Sequence, residues 1–158
     1  MVPAVKIFLD TSVLIEYIKG NKTEFLDYLF SQNVDCCINH IVDSEFIYIY
    51  LGLMSGKSPM SLREAAMVSV VLNETEPYEF IQGFEVLTMD EEILTKSYEI
   101  MKKYDFLPND AIILSTCLRY KLRLLGSFDS DFTKACSDEG ILLIDDVNSL
   151  KKLITEGF

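Results

Sequence analysis

The sequence predicts an α/β fold with a mainly parallel central sheet flanked by helices on both faces, a three-layer arrangement. Short apolar runs rich in β-branched residues alternate with longer stretches of helical periodicity. Parallel neighbours need a crossover, which helices supply while covering both faces of the sheet. The 158 residues, 49% hydrophobic and 25% charged, suit a single domain over 1–158 whose core needs neither disulfides nor a structural metal.

Strands are predicted at residues 5–9, 36–38, 124–126 and 141–144, with a weaker one at 84–87. Helices are predicted at 12–19, 22–31, 41–54, 61–73, 90–103, 108–120 and 147–155. Two starts carry a Ser/Thr-x-x-Glu capping box, Ser61 with Glu64 and Thr88 with Glu91. Pro108 and Asp110 open another helix, where a missing N–H and a negative charge both suit the first turn. No linker, repeat or low-complexity block divides the chain.

The 14 basic and 25 acidic residues leave a net charge of −11, which excludes nonspecific attachment to polyanions as the whole function. None of the four cysteines forms a C-x-x-C pair or lies at zinc-finger spacing from His40, so structural zinc is not expected. Adjacent Cys36 and Cys37 in an apolar run suit a reducing compartment, as inert buried thiols. Asp10 interrupts the N-terminal apolar run too early for a signal peptide, and the longest apolar run, 46–54, is about half a membrane span. The expectation is a cytoplasmic protein without a membrane segment. His40 reads as a structural or surface residue, and Tyr48 and Tyr50 as core or dimer contacts.

In parallel sheets ligands bind beyond the carboxyl ends of the strands, so polar residues there are the first functional candidates. Asp10-Thr11-Ser12 follows the first strand, and Ser127-Phe128-Asp129-Ser130-Asp131 follows the apolar run at 124–126. Asp110 opens a helix, and Glu45 lies on the helix at 41–54, whose second half is apolar almost all round. Each has an ordinary reading on its own: Asp10 or Ser12 as a helix cap, Asp110 as a partner of the helix dipole, Glu45 as a solvent-facing residue.

Taken together, Asp10-Thr11-Ser12, Glu45, Pro108-Asn109-Asp110-Ala111 and Ser127-Phe128-Asp129-Ser130-Asp131-Phe132 resemble the acidic signature of PIN-domain ribonucleases. The similarity is strongest to the small VapC-like toxins and related archaeal PIN proteins. It implies that Asp10, Glu45, Asp110 and Asp129 are catalytic and hold one or two Mg²⁺ or Mn²⁺ ions, with Thr11, Ser12, Ser127 and Asp131 in support. Glu45 is preferred to Asp43, which would project from another face of the helix. The implied reaction is endonucleolytic cleavage of single-stranded RNA, the implied assembly a homodimer, and a VapC-like toxin would also bind an antitoxin protein.

The chemistry is coherent. Converging carboxylates repel, a hard divalent cation resolves the repulsion, and such a cation recruits phosphate oxygens and water. The basic runs Lys102-Lys103 and 119–123 could track a nucleic-acid backbone or simply be solvated helix ends. The main alternative is a PIN-like module without catalysis that binds RNA or a protein. A haloacid-dehalogenase phosphatase would need an Asp where Ser12 stands, and a receiver domain would need its acidic pair near the first strand rather than at Asp145-Asp146.

Overall fold

The computed structural model describes residues 5–157. Strands β1 (Lys6–Leu9), β2 (Asp35–Asn39), β3 (Glu85–Leu87), β4 (Leu124–Gly126) and β5 (Leu142–Ile144) form a wholly parallel sheet in the order β3-β2-β1-β4-β5. The helices are α1 (Thr11–Ile18), α2 (Thr23–Ser31), α3 (His40–Ser55), α4 (Pro59–Glu64), α5 (Val68–Thr75), α6 (Pro77–Ile81), α7 (Glu91–Tyr104), α8 (Pro108–Arg119), α9 (Phe132–Glu139) and α10 (Val147–Glu156). The chain builds outward from β1 through β2 to β3, then returns to the other side of β1 for β4 and β5. The carboxyl ends of β1 and β4 therefore border a topological switch point, where an α/β sheet opens a crevice.

The three inner strands are apolar because both faces are covered. Ile7, Phe8, Leu9, Leu124 and Leu125 are all buried, as are Cys37 and Ile38 of β2. Helix α8 buries six residues, Ala111 and Ile113 to Cys117, and packs most extensively on α7. Asn39 ties these parts together: its Oδ1 accepts from the Ile41 and Val42 amides, capping α3, and its Nδ2 donates to Thr116 Oγ1 of α8 at 2.9 Å. One buried side chain thus joins the helix that carries Glu45 to the helix that carries Asp110.

Both predicted capping boxes are corrected. The helix predicted at 61–73 is two, α4 and α5, broken where Ala66 adopts φ +56°; the Ala66 and Met67 amides donate back to Arg63 and Leu62, the Schellman closure with alanine in the position glycine usually takes. The cap of α4 is Ser58, which accepts from Ser61, with Pro59 in the first turn. The cap of α7 is Asp90, which accepts from the Ile93 amide, while Thr88 bonds the Tyr120 hydroxyl. Helices α6 and α9 were not predicted. The second half of α3 is buried only on the Tyr50 side: Tyr48, Ile49, Leu53 and Met54 are exposed.

All four cysteines are free and buried; burial pushes the Cys36 and Cys37 thiols up to about 12, which keeps them protonated and unreactive. Among the described residues no helix is long and apolar enough to cross a membrane.

Gly126 is where β4 meets the packed side chains of β1. A Cβ there would lie 2.8 Å from Leu9 Cδ2 and 3.3 Å from both Ile7 Cδ1 and Phe25 Cε1. Overpacking of this kind costs about 1–3 kcal/mol, so Gly126→Ala should lower the unfolding free energy by that amount, seen as a lower urea midpoint with an unchanged denaturant slope.

Candidate active site

Four elements deliver acidic side chains to one cavity of about 870 Å³ at the switch point. β1 ends at Asp10, whose amide donates to the Gly126 carbonyl at 2.9 Å, so the carboxylate is fixed relative to β4. Asp10 is 6% exposed, and its Oδ2 accepts from the Ser12 hydroxyl at 2.7 Å and the Ser127 hydroxyl at 2.8 Å. Burial still outweighs these donors and raises the Asp10 pKa above the usual carboxylate range. The Ser12 amide also donates to Oδ2, so Asp10 is the N-cap of α1 as well as a wall of the cavity.

The loop after β4 is ordered by the same hydroxyls. Ser127 Oγ accepts from the Asp129 amide at 3.0 Å, Ser12 Oγ accepts from the Phe128 amide at 3.0 Å, and Asp129 Oδ1 accepts from the Asp131 amide at 2.9 Å. Asp129 lines the cavity, whereas Asp131 sits one step along, at the start of α9, and lines a second cavity.

Glu45, on the second turn of α3, points into the same space. Thr11 Oγ1 donates to its Oε2 at 2.6 Å, and Asn109 Nδ2 donates to its Oε1. Asn109, which the sequence reading places only within the Pro108–Ala111 motif, is thus part of the site; its place directly before Asp110 is the available signal. Asp43 faces away and lines a separate cavity with Ile47 and Glu76.

Asp110 in the first turn of α8 is the electrostatic focus. It accepts no side-chain or backbone hydrogen bond among the described residues, and its pKa is pushed up to about 6 by burial first and then by Asp10, Asp129, Glu45 and Asp131. Four other carboxylates therefore act on one half-buried acid. As they stand, no three acidic, His or Cys side chains among the described residues enclose a metal position. The donor set nonetheless fits a hard divalent ion: it is all oxygen, crowded with negative charge, and Asp110 lacks any positive complement.

The fold and this acidic crevice define a PIN-like α/β domain, and a family profile described as PIN domain matches residues 7–137. The chain belongs to the PIN-domain family. Its relatives include Ribonuclease VapC2 of Methanocaldococcus jannaschii, 33% identical over 131 residues that cover 82% of this chain and 88% of the relative. Ribonuclease VapC6 of the same organism is 31% identical over 140 residues, 81% of this chain and 91% of the relative. A solved structure of DNA-bound VapBC from Salmonella typhimurium superposes with a TM-score of 0.62 at 22% identity over 89% of this chain and 98% of that one, a likeness of fold.

The shift at Asp110 carries a stability consequence. Its folded pKa lies above the ordinary value, so ionisation costs the folded state more than the unfolded one; the penalty is complete above about pH 6 and absent below about pH 4. Replacing Asp110 with Asn removes it. In chelator-treated protein the substitution should raise unfolding stability at pH 8 by on the order of 1–2 kcal/mol, after allowance for solvent screening, with the gain fading as pH falls to 4. Paired denaturation curves at the two pH values measure it.

Proposed function

We propose that the chain is a divalent-metal-dependent endoribonuclease that cleaves phosphodiester bonds of single-stranded RNA and acts as the toxin of a toxin–antitoxin pair. The observation that carries this reading is the meeting of Asp10, Glu45, Asp110 and Asp129 on one cavity at the switch point of a PIN fold. The relatives VapC2 and VapC6, both ribonucleases, support the reaction class.

Asp10, Asp110 and Asp129 are the residues that would hold Mg²⁺ or Mn²⁺, with Glu45 acting directly or through water. When bound, one or two such ions supply Lewis-acid charge that lowers the pKa of a water and offsets negative charge on the phosphate. The protein's own contribution is placement. Ser12 and Ser127 hold Asp10 by one oxygen, the Asp131 amide holds Asp129, and Thr11 with Asn109 holds both oxygens of Glu45. Asp131 adds negative charge at the cavity margin. Side chains fixed in this way need little reorganisation when phosphate arrives, which is where a preformed site gains rate.

The exposed apolar residues of α3 to α5, among them Tyr48, Leu53, Met60 and Val70, form the face assigned to protein partners, a second copy in a homodimer and an antitoxin.

Asp10→Asn and Asp110→Asn should each reduce metal-dependent cleavage of labelled single-stranded RNA at least about 100-fold, with an unchanged far-ultraviolet spectrum. Chelation of the wild-type protein should have the same effect. Retained cleavage in both purified variants would overturn the assignment.

A further inference from the structure

Beside the acidic crevice lies a second cavity, of about 590 Å³, between the end of α7 and the start of α9. Its walls include Lys102, Lys103, Tyr104, Phe106, Asp131 and Lys134. Asp131 joins the two cavities, since its amide is bonded to Asp129, which lines the crevice. An extended strand lying across Asp129 would therefore meet the lysines next.

Three cations here stand out against a chain of net charge −11. Lys102 is exposed and has no ion pair among the described residues. Lys103 and Lys134 bring their ammonium groups to the same ring, 5.0 and 5.5 Å from the Tyr104 centroid. The Tyr104 ring thus holds two ammonium groups near one another at the cavity wall, within reach of one bound phosphate. Lys103 is held by Glu139, a mostly buried carboxylate that also accepts from the Tyr104 hydroxyl, whereas the Lys134–Asp138 pair is exposed and weak enough to exchange for phosphate, which Lys102 is also free to bind. Asp105 also lines the cavity, so its charge is mixed and its selectivity rests on the positions of the ammonium groups.

The other basic run is placed differently. Arg119 is paired with Asp90 and Glu92, and Arg123 precedes β4, at the end of the sheet away from the acids.

We propose that the Lys102–Lys103–Lys134 cavity is a subsite for backbone phosphate of the RNA strand flanking the scissile bond. The proposal rests on the ribonuclease reading and adds the path of the substrate. Cation and ring together suit single strands, whose backbone is tracked by charge and whose bases stack on aromatic groups.

The test uses the full chain carrying Asp10→Asn, so that RNA is bound without being cut, and a labelled single-stranded oligonucleotide titrated at several salt concentrations. Adding Lys102→Ala and Lys134→Ala should weaken binding about tenfold at low salt and flatten the slope of log affinity against log salt by about 0.7 for each lost phosphate contact. Adding Lys96→Ala and Lys152→Ala, an equal charge change on the surfaces of α7 and α10 outside this cavity, should leave the slope as in the parent. Unchanged affinity and slope in the double lysine variant, with the parent still binding, would overturn the subsite alone. Absence of RNA binding by the parent together with absence of cleavage by the unaltered chain would overturn the ribonuclease reading, and the subsite with it.

Discussion

Everything in this molecule is arranged around the cost of bringing carboxylates together. Two carboxylates about 4 Å apart in a medium of effective dielectric near 20 repel by roughly 4 kcal/mol, and here Asp110 feels four others. The fold tolerates this by spending its most rigid elements on the acids. Asp10 leaves the central strand and is pinned to β4 through the Gly126 carbonyl, while two serine hydroxyls satisfy one of its oxygens. Glu45 is held by a threonine from α1 and an asparagine from α8. Among the described residues no basic side chain lines the crevice to relieve the repulsion, and this leaves it suited to a cation from solution.

The supporting structure follows the same logic. Gly126 lets the side chains of β1 pack where β4 closes on it, which keeps the ends of the two strands in fixed relation. Asn39 caps α3 and reaches Thr116, so the helices bearing Glu45 and Asp110 share one buried hydrogen-bonded junction. The proposed ribonuclease activity requires an acidic chain to gain local attraction for a polyanion from cations beside the acids. The α7–α9 cavity carries lysines that would supply it, and among the described residues no lysine lines the crevice.

Much of this was legible in the amino-acid sequence because the signals were local. Five short apolar runs marked five strands, and the acids in the segments after the first and fourth of them, Asp10 and Asp129, marked the crevice, as the rule for parallel sheets requires. What was not legible depended on unusual local chemistry or on distant partners. The break between α4 and α5 lies at Ala66, an alanine doing what glycine normally signals. Asp90 caps α7 although Thr88 offered the better motif, because the threonine hydroxyl is engaged by Tyr120, thirty-two residues away. Helix α9 buries Phe132, Ala135 and Cys136 at helical spacing and ends at Gly140, yet it is short and hidden behind the acidic loop. Asn39 acts through a contact that spans the fold, of which residue spacing carries no trace, and for Asn109 the one local sign was its place directly before Asp110.

The most direct measurement is an anomalous difference map from a crystal of the full chain grown with Mn²⁺. The account predicts a strong peak in the crevice, coordinated by carboxylate oxygens of Asp10 and Asp110 and lost in the Asp110→Asn protein. A peak elsewhere, or a crevice that stays without manganese at saturating concentration, would contradict it.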